Sequence, residues 1–485
     1  MRLTRHFVDV ANPDGSRRRV HYRRMGEGPP VLLVHQSPRS SAEWEPLMRE
    51  WAEEFTLIAP DTPGFGQSAP LPIARPAIGD YADAVLAFLD AMGIARIAAY
   101  GFHSGAIILM TAIRKAPHRF TAVACGGYAV WTAEEQADFG ARYTPPFHPL
   151  AYGEHLAFAW NRVLEQSWFF PWYRATPANR LGIAGADPAK IHEMVMEILT
   201  SGNAYTLGYG AVLAAPRDIP APDAPVPPVL IAAYDGDPLQ AHIDRLGVLP
   251  EGWQARKVPA PADLAAAAKQ WVAAHPAPML AQVPVTPDEG FVEVTAGGFQ
   301  GLLHWQGEGE RLWLHAPGSA GALAPTGTLA LDCPGHGLSD GWADAATDLA
   351  SWAEVIVAGV TASCATIRSV AGEGWSDVLA AAVAARLGVQ HEAGPRPRGA
   401  IADWRAMGLP DVTPCRFGEH LHRSWGAVRA ATFFDPWFQP AAANAIDFDP
   451  ADAEPERLAI RHLALLRASA APALLGACLE ASQAR

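Results

Sequence analysis

The stretch that decides the predicted fold is residues 97–106, with the sequence IAAYGFHSGA. An apolar run of strand length ends there and a helix-like segment follows. Gly101 and Gly105 lie two places before and two places after His103. A tight strand-to-helix turn of the pattern Gly-x-nucleophile-x-Gly needs small residues at these flanks, because larger side chains do not fit. This frame places His103 at the exposed position of the turn and Ser104 one place later.

Similar apolar runs lie at 31–34, 56–59 and 229–234, and a helix-like segment spans 80–92. Continuous apolar strands that alternate with amphipathic helices predict an α/β fold with a mostly parallel sheet, covered on both faces. Ligand chemistry in such sheets lies at the carboxyl ends of the strands. The turn at residues 101–105 is predicted to lie at that edge.

Three motifs occur in order along the chain: HQSP at 35–38, DTPGFGQS at 61–68 and GFHSG at 101–105. With these motifs the sequence resembles the α/β-hydrolase superfamily. The resemblance covers residues 15–275 and, less well, 291–478. It implies an α/β-hydrolase fold with a helical cap inserted after the sixth strand, and the Trp-rich residues 140–215 suit that cap.

An internal repeat accounts for the length of the chain, which has 485 residues. The segment YGEHL at 152–156 recurs as FGEHL at 417–421, and DTPGFGQS at 61–68 recurs as DCPGHGLS at 332–339. Self-similarity on this scale indicates a tandem duplication. We predict a complete domain at 1–278, with its cap at about 140–215. A degenerate second copy at 279–485, with its cap at about 405–470, lacks the last strands.

The catalytic residues allow three interpretations. His103 could be a general base or nucleophile, Ser104 could be a displaced nucleophile activated by a histidine, or the turn could persist after catalysis was lost. Asp237 follows the run at 229–234, where relatives keep the catalytic acid, and Asp235 is the second candidate. The loop after the next strand contains no histidine, so an ordinary Ser-His-Asp triad is not predicted.

The resemblance also implies groups that contact the substrate. In relatives, main-chain N–H groups of the loop after the first motif and after the nucleophile stabilise developing negative charge, which here indicates Gln36, Ser37 and the amide of Ser104. Arg39 could bind a substrate carboxylate or form a salt bridge with Glu43.

The predicted cap adds further candidates for substrate contact. His148, His155 and Trp160 lie among many aromatic residues, as expected above a small, mostly apolar organic molecule. His155 recurs as His420 in the degenerate copy, which favours a structural role for this histidine.

Composition limits the other possibilities. The net charge is −13 and no run of like charge is long enough to bind nucleic acid or an anionic membrane. The five cysteines lie far apart without a Cys-x-x-Cys pair, so neither a metal site nor a disulfide framework is predicted. The first residues lack an apolar signal region and no stretch approaches the length of a membrane span. A cytoplasmic enzyme without metal or cofactor is expected.

These observations predict an enzyme that hydrolyses a small organic ester, thioester, amide or C–C bond. Two alternatives stay open: a cofactor-free lyase or decarboxylase that uses His103 as its base, and a non-catalytic ligand-binding protein. In the second copy Gly374 falls at the nucleophile position, so that copy is predicted to be inert. The two copies are expected to pack on each other like protomers of a homodimer, and assembly into a homo-oligomer stays open.

Overall fold

The computed structural model describes residues 1–181, 187–280, 284 and 286–483. The chain divides into two compact units. The first comprises Met1–His148 and Asn161–Thr286, and the second comprises Pro149–Trp160 and Pro287–Arg485.

A mixed, mostly parallel sheet forms the centre of the first unit. Its described strands are β1 (Thr4–Ala11), β2 (Arg17–Met25), β3 (Pro30–Val34), β4 (Thr56–Pro60), β5 (Ile97–Phe102), β6 (Phe120–Gly126), β7 (Val229–Tyr234) and β8 (Gln254–Val258). They are ordered β1-β2-β4-β3-β5-β6-β7-β8. β1 and β2 run antiparallel to each other and β2 runs antiparallel to β4, whereas β3–β8 are mutually parallel.

Helices cover both faces of this sheet. The helices of this part of the chain are α1 (Glu45–Trp51), α2 (Ile78–Ala91), α3 (Ser104–Lys115), α4 (Ala133–Arg142), α5 (Glu154–Gln166), α6 (Pro188–Ser201), α7 (Asn203–Leu213) and α8 (Pro261–Ala273), and α5 enters the first unit at Asn161. Leu32 and Val34 of β3 pack in the core with α2 and α3, while Val31 and Leu33 pack in a second core with α1 and α8. This alternation confirms the prediction of a doubly covered α/β sheet. Helices α4–α7 lie between β6 and β7 in the chain.

The second unit contains a smaller sheet of the same design. Its described strands are β9 (Glu289–Ala296), β10 (Phe299–Gln306), β11 (Arg311–Leu314), β12 (Leu329–Leu331), β13 (Ser369–Gly372) and β14 (Gln390–Glu392), and their order is β9-β10-β12-β11-β13-β14. This repeats the order of β1–β6 in the first sheet, as a second, partial copy of the fold would. The remaining helices are α9 (Leu349–Ala362), α10 (Asp377–Leu387), α11 (Ile401–Met407), α12 (Glu419–Ala431), α13 (Pro455–Arg467) and α14 (Ala471–Gln483).

The repeated motif of the sequence forms a reciprocal contact inside the second unit. The ring of His155 lies 4.9 Å from that of Trp425, and the ring of Trp160 lies 5.3 Å from that of His420. Each tryptophan donates its indole N–H to a main-chain carbonyl oxygen, over 3.3 Å for Trp160 and 3.2 Å for Trp425. Equivalent residues thus exchange equivalent contacts, which is the pattern of an isologous interface.

No single helix in the described ranges has the length and apolar character needed to cross a membrane. Only α13 and α14 taken together have that composition, and a bend of 85° separates them.

Candidate active site

The turn between β5 and α3 has the geometry that its sequence predicts. His103 lies between strand and helix with φ 48° and ψ −107°, a backbone conformation that non-glycine residues rarely adopt. Its N–H donates to the carbonyl oxygen of Gly126 over 2.8 Å. A Cβ atom on Gly105 would lie 2.0 Å from the carbonyl oxygen of Val34, so this flank has no room for a side chain. The turn therefore presents His103, not Ser104, at its tip.

His103 is paired with the predicted acid. Its Nε2 lies 3.2 Å from Oδ1 and 3.1 Å from Oδ2 of Asp237, whose side chain is fully buried. The N–H of Leu239 donates to Asp237 Oδ1 over 2.8 Å and fixes the carboxylate. A carboxylate at Nε2 favours the tautomer that carries the proton there, which leaves the lone pair on Nδ1. The structure thus brings two predicted catalytic residues together as a dyad.

Gly127 makes the close approach of this dyad possible. Its φ is +60°, and a Cβ atom there would lie 2.6 Å from His103 Nε2 and 2.9 Å from Asp237 Oδ2. Sequence reasoning missed this residue, although the pair Gly126-Gly127 after an apolar strand was a signal for close backbone approach. Asp235, the second candidate for the acid, is exposed and bonds Gln240 instead.

Ser104 is brought to the site without a base. Its buried Oγ accepts a hydrogen bond from the main-chain N–H of Ser37 over 3.0 Å. No histidine nitrogen of the described residues forms a hydrogen bond with this Oγ. The histidine nearest to Ser37 in sequence is His35. Its ring bonds the carbonyl oxygen of Gln36 and the N–H of Thr62.

The loop after β3 differs from the arrangement that we predicted. The main-chain N–H of Gln36 donates to Glu43 Oε1 over 2.7 Å, and Gln36 Nε2 donates to Glu43 Oε2 over 3.0 Å. The prediction of Gln36 as an oxyanion donor is corrected, because this N–H is already bonded to a carboxyl oxygen. Ser37 could serve only after its bond to Ser104 is broken. The N–H of Ser104, at the first position of α3, has no hydrogen-bond partner among the described residues.

Glu43 is a half-buried carboxyl group at the site. Burial raises its pKa to about 7, while the hydrogen bonds from Gln36 and the charge of Arg39 act in the opposite direction. The sequence suggested Glu43 only as a salt-bridge partner of Arg39, and the structure shows Gln36 in that place. The available signal was Gln36 itself: where relatives carry glycine, a polar side chain in a tight loop needs a partner.

A cavity of about 490 Å³ opens beside the dyad. This volume is in the range of small-molecule sites. Polar groups of Gln36, Ser37, Arg39, Glu43, His103 and Ser104 form one part of its lining. The other part is mostly apolar and aromatic, with Ile107, Trp131, Phe139, Tyr143, Gln166, Phe170, Leu181, Met194, Tyr209, Val212, Leu213, Pro238 and Leu239.

Three predicted substrate-binding residues are not among the described residues that line this cavity. His148 is exposed to solvent. His155 and Trp160 are buried in the second unit, where they make the reciprocal ring contacts, and His155 Nδ1 also accepts a hydrogen bond from the N–H of Leu150 over 3.1 Å. The prediction is corrected for these three, because aromatic packing rather than ligand contact explains the two buried ones. Arg39 does line the cavity.

His242 does not replace the missing base. It is buried, and its Nδ1 accepts the N–H of Val130 over 3.0 Å. Burial, with a contribution from the charge of Arg245, lowers its pKa to about 4. In the described part of the chain, no group of three or more His, Cys, Asp or Glu side chains is arranged to hold a metal ion.

The equivalent turn of the second unit has a glycine at the position of His103. Gly374 follows β13 with φ 56°, close to the value at His103. Trp375, at the position of Ser104, is buried in that unit's core. This turn offers no nucleophile or base at its tip.

Part of the first unit is similar in sequence to known proteins. Residues 29–239 match the family described as alpha/beta hydrolase fold. A relative named haloalkane dehalogenase 2, from Mycobacterium tuberculosis (strain ATCC 25618 / H37Rv), is 32% identical over 129 residues, which are 26% of this chain and 43% of the relative. A soluble epoxide hydrolase from Corynebacterium sp. (strain C12) is 46% identical over 50 residues, 10% of this chain and 18% of the relative. The chain thus spans less than half the length of these curated relatives.

A solved structure with a similar course of the chain is a thermophilic esterase from Thermogutta terrifontis, with 18% identity and a TM-score of 0.44 over 56% of this chain and 99% of that chain. The family match and the sheet topology show that the first unit has an α/β-hydrolase fold.

Proposed function

We propose that the first unit is a hydrolase for a small, mostly apolar organic ester or thioester, and that the His103–Asp237 dyad is its general base. The observation that carries the proposal is the hydrogen-bonded dyad at the tip of the strand-to-helix turn, beside a cavity of about 490 Å³. The relatives named as a dehalogenase and an epoxide hydrolase support a hydrolytic reaction class.

The proposed reaction needs no covalent intermediate. A water molecule at Nδ1 of His103 transfers a proton to this nitrogen while its oxygen attacks the carbonyl carbon of the substrate. Asp237 holds the proton on Nε2 and stabilises the imidazolium that forms. The N–H of Ser104 faces the developing oxyanion. When the tetrahedral intermediate collapses, the proton on Nδ1 passes to the leaving alkoxide or thiolate.

The exposure of His103 supports a role as base rather than as a satisfied core residue. Its side chain is 25% exposed and lines the cavity, whereas the side chain of Asp237 is fully buried. Nδ1 has no hydrogen-bond partner among the described residues, so water or substrate can reach it. By contrast, Ser104 Oγ bonds the N–H of Ser37 and lacks a histidine to accept its proton.

The experiment compares the hydrolysis of short-chain aryl esters by the wild type and by variants of the full chain. We expect His103→Ala and Asp237→Asn to lower kcat/KM by about a hundredfold, the usual contribution of general-base catalysis. We expect Ser104→Ala to stay within about tenfold of the wild type, because only an oriented N–H is needed at that position. His118→Ala, at an exposed histidine of the same unit, is the matched control and keeps full activity.

Loss of activity with Ser104→Ala alone would contradict the proposal and indicate a serine nucleophile. Absence of turnover in every form, with aryl esters still bound, would indicate a ligand-binding protein. Turnover of a carbon acid by wild type but not by His103→Ala, without ester hydrolysis, would indicate the lyase alternative.

A further inference from the structure

Arg39 lines the cavity, and none of the described residues forms a hydrogen bond with its guanidinium. It is the only lining residue of the described set that carries a permanent positive charge. Its Nε is buried and has no hydrogen-bond partner, and its guanidinium forms no ion pair with a described residue. Arg39 is half-buried, and a buried polar atom such as its Nε usually has a hydrogen-bond partner in native proteins. A ligand in the cavity would supply one.

The charge of Arg39 acts on the carboxyl groups of Glu43 and Glu197, but both groups form their hydrogen bonds with other residues. Glu43 accepts both of its short hydrogen bonds from Gln36, and Glu197 accepts one from the hydroxyl of Ser40 over 3.0 Å. Burial raises the pKa of both carboxyl groups, which weakens them as counter-ions near neutral pH. The salt bridge between Arg39 and Glu43 that the sequence allowed is not formed.

We infer that the substrate carries a carboxylate, and that Arg39 binds this group while the aromatic wall holds the rest of the molecule. The inference rests on the proposed function, since it names the substrate class of the same cavity. A guanidinium presents parallel N–H groups that match the two oxygens of a carboxylate, so the pair fixes orientation as well as charge.

Arg39 lines the same cavity as the residues of the proposed reaction centre. Arg39 follows the loop residues Gln36 and Ser37, and His103 and Ser104 line the same cavity. A substrate whose carboxylate is bound by Arg39 would have its reactive group near His103 and Ser104. Its hydrocarbon part would contact aromatic residues such as Trp131 and Phe139. Half-esters and thioesters of small aromatic or aliphatic diacids have this chemistry.

The test measures equilibrium binding, which needs no turnover. Calorimetry on the full chain compares phenylacetate with phenylacetamide, two probes of nearly equal shape that differ in charge. We expect the wild type to bind phenylacetate more tightly by about tenfold or more, the usual contribution of a hydrogen bond to a charged group. Arg39→Gln should erase the difference, and Arg39→Lys should keep part of it, because it retains the charge but loses the paired N–H groups.

Arg75→Gln, at an exposed arginine of the same unit, is the matched control and should bind like the wild type. Thermal unfolding of each variant identifies any that fails to fold, and Arg39→Lys then gives the decisive comparison. If the wild type does not prefer phenylacetate, or if Arg39→Gln and Arg39→Lys both keep the preference, the inference is overturned. Charge-selective binding without ester hydrolysis by any form would uphold this inference while overturning the proposed function.

Discussion

The fold of the first unit changes the pKa of Glu43. It is half-buried in the lining of the cavity, and both of its oxygens accept hydrogen bonds from Gln36. Burial raises its pKa to about 7, far above the ordinary value of 4.5. Near neutral pH this carboxyl group is therefore present in both of its protonation states.

This shift predicts a pH-dependent stability with a definite sign. In the unfolded chain Glu43 loses its proton near its ordinary pKa, whereas the folded protein keeps the proton up to about pH 7. Between these values the native state binds more protons, so the free energy of unfolding falls as pH rises. We expect the fall between about pH 5 and pH 8 to be smaller in Glu43→Gln by a few kcal/mol, at ~1.4 kcal/mol per pKa unit.

Urea unfolding at the two pH values measures this difference. Burial also lowers the pKa of several histidines, which adds its own pH dependence where they titrate in the unfolded chain. The comparison of the variant with the wild type, rather than either curve alone, therefore isolates Glu43. Glu50→Gln, on the exposed face of α1, is the control and should leave the pH dependence unchanged. An identical fall in the wild type and in Glu43→Gln would show that burial does not hold this proton.

At the scale of elements, the junction of β5 and α3 depends on two backbones in close contact. A Cβ on Gly105 would lie 2.0 Å from the carbonyl oxygen of Val34 in β3, and main-chain atoms cannot move aside cheaply. We expect Gly105→Ala to destabilise the first unit by roughly 3 kcal/mol, as overpacking of a core does. Chemical unfolding of the full chain measures the change.

Gly140 in α4 is the matched control because it too is a helical glycine. A Cβ there meets nothing within 4 Å. Gly140→Ala should stabilise the chain by about 0.5–1 kcal/mol through helix propensity alone. Equal effects at the two positions would contradict the tight junction at Gly105.

The same junction shows which features could be predicted from the sequence. The apolar run of β5, the two flanking glycines and the place of Asp237 after β7 are local patterns, and each determined a feature that the structure contains. The bond from Ser37 to Ser104 and the pairing of Gln36 with Glu43 could not be predicted, because they depend on how loops from distant parts of the chain meet. Local spacing gives positions, but hydrogen-bond partners are decided by three-dimensional packing.

At the scale of the whole molecule, the repeat in the sequence and the compact units in the structure divide the chain differently. The sequence repeat predicts two domains that meet near residue 278. In the structure, however, Pro149–Trp160 belong to the same compact unit as Pro287–Arg485. The two occurrences of the aromatic motif contact each other in the structure, and the assignment of His155 and Trp160 to a ligand was wrong. Aromatic residues next to histidines are compatible with a binding site and with a packed core, and sequence alone does not separate the two.

The buried indole of Trp160 should stabilise the second unit. Trp160 is 1% exposed, and its ring lies against His420 and against the backbone of Gly418. We expect Trp160→Ala to cost about 3–5 kcal/mol, the usual range for a buried tryptophan. Hydrogen exchange followed by mass spectrometry should show faster exchange in α12.

Trp168→Ala provides the comparison, since Trp168 is 41% exposed and belongs to the first unit. It should leave exchange in α12 unchanged. If Trp160→Ala also left α12 unchanged, the reciprocal contact would not be a source of stability.

The reciprocal contact also bears on how such a chain can change over generations. Residues 149–160 are encoded within the first repeat but are packed with the second. A gene shortened at the repeat boundary would leave Leu156 and Trp160 as an uncovered apolar surface that invites aggregation.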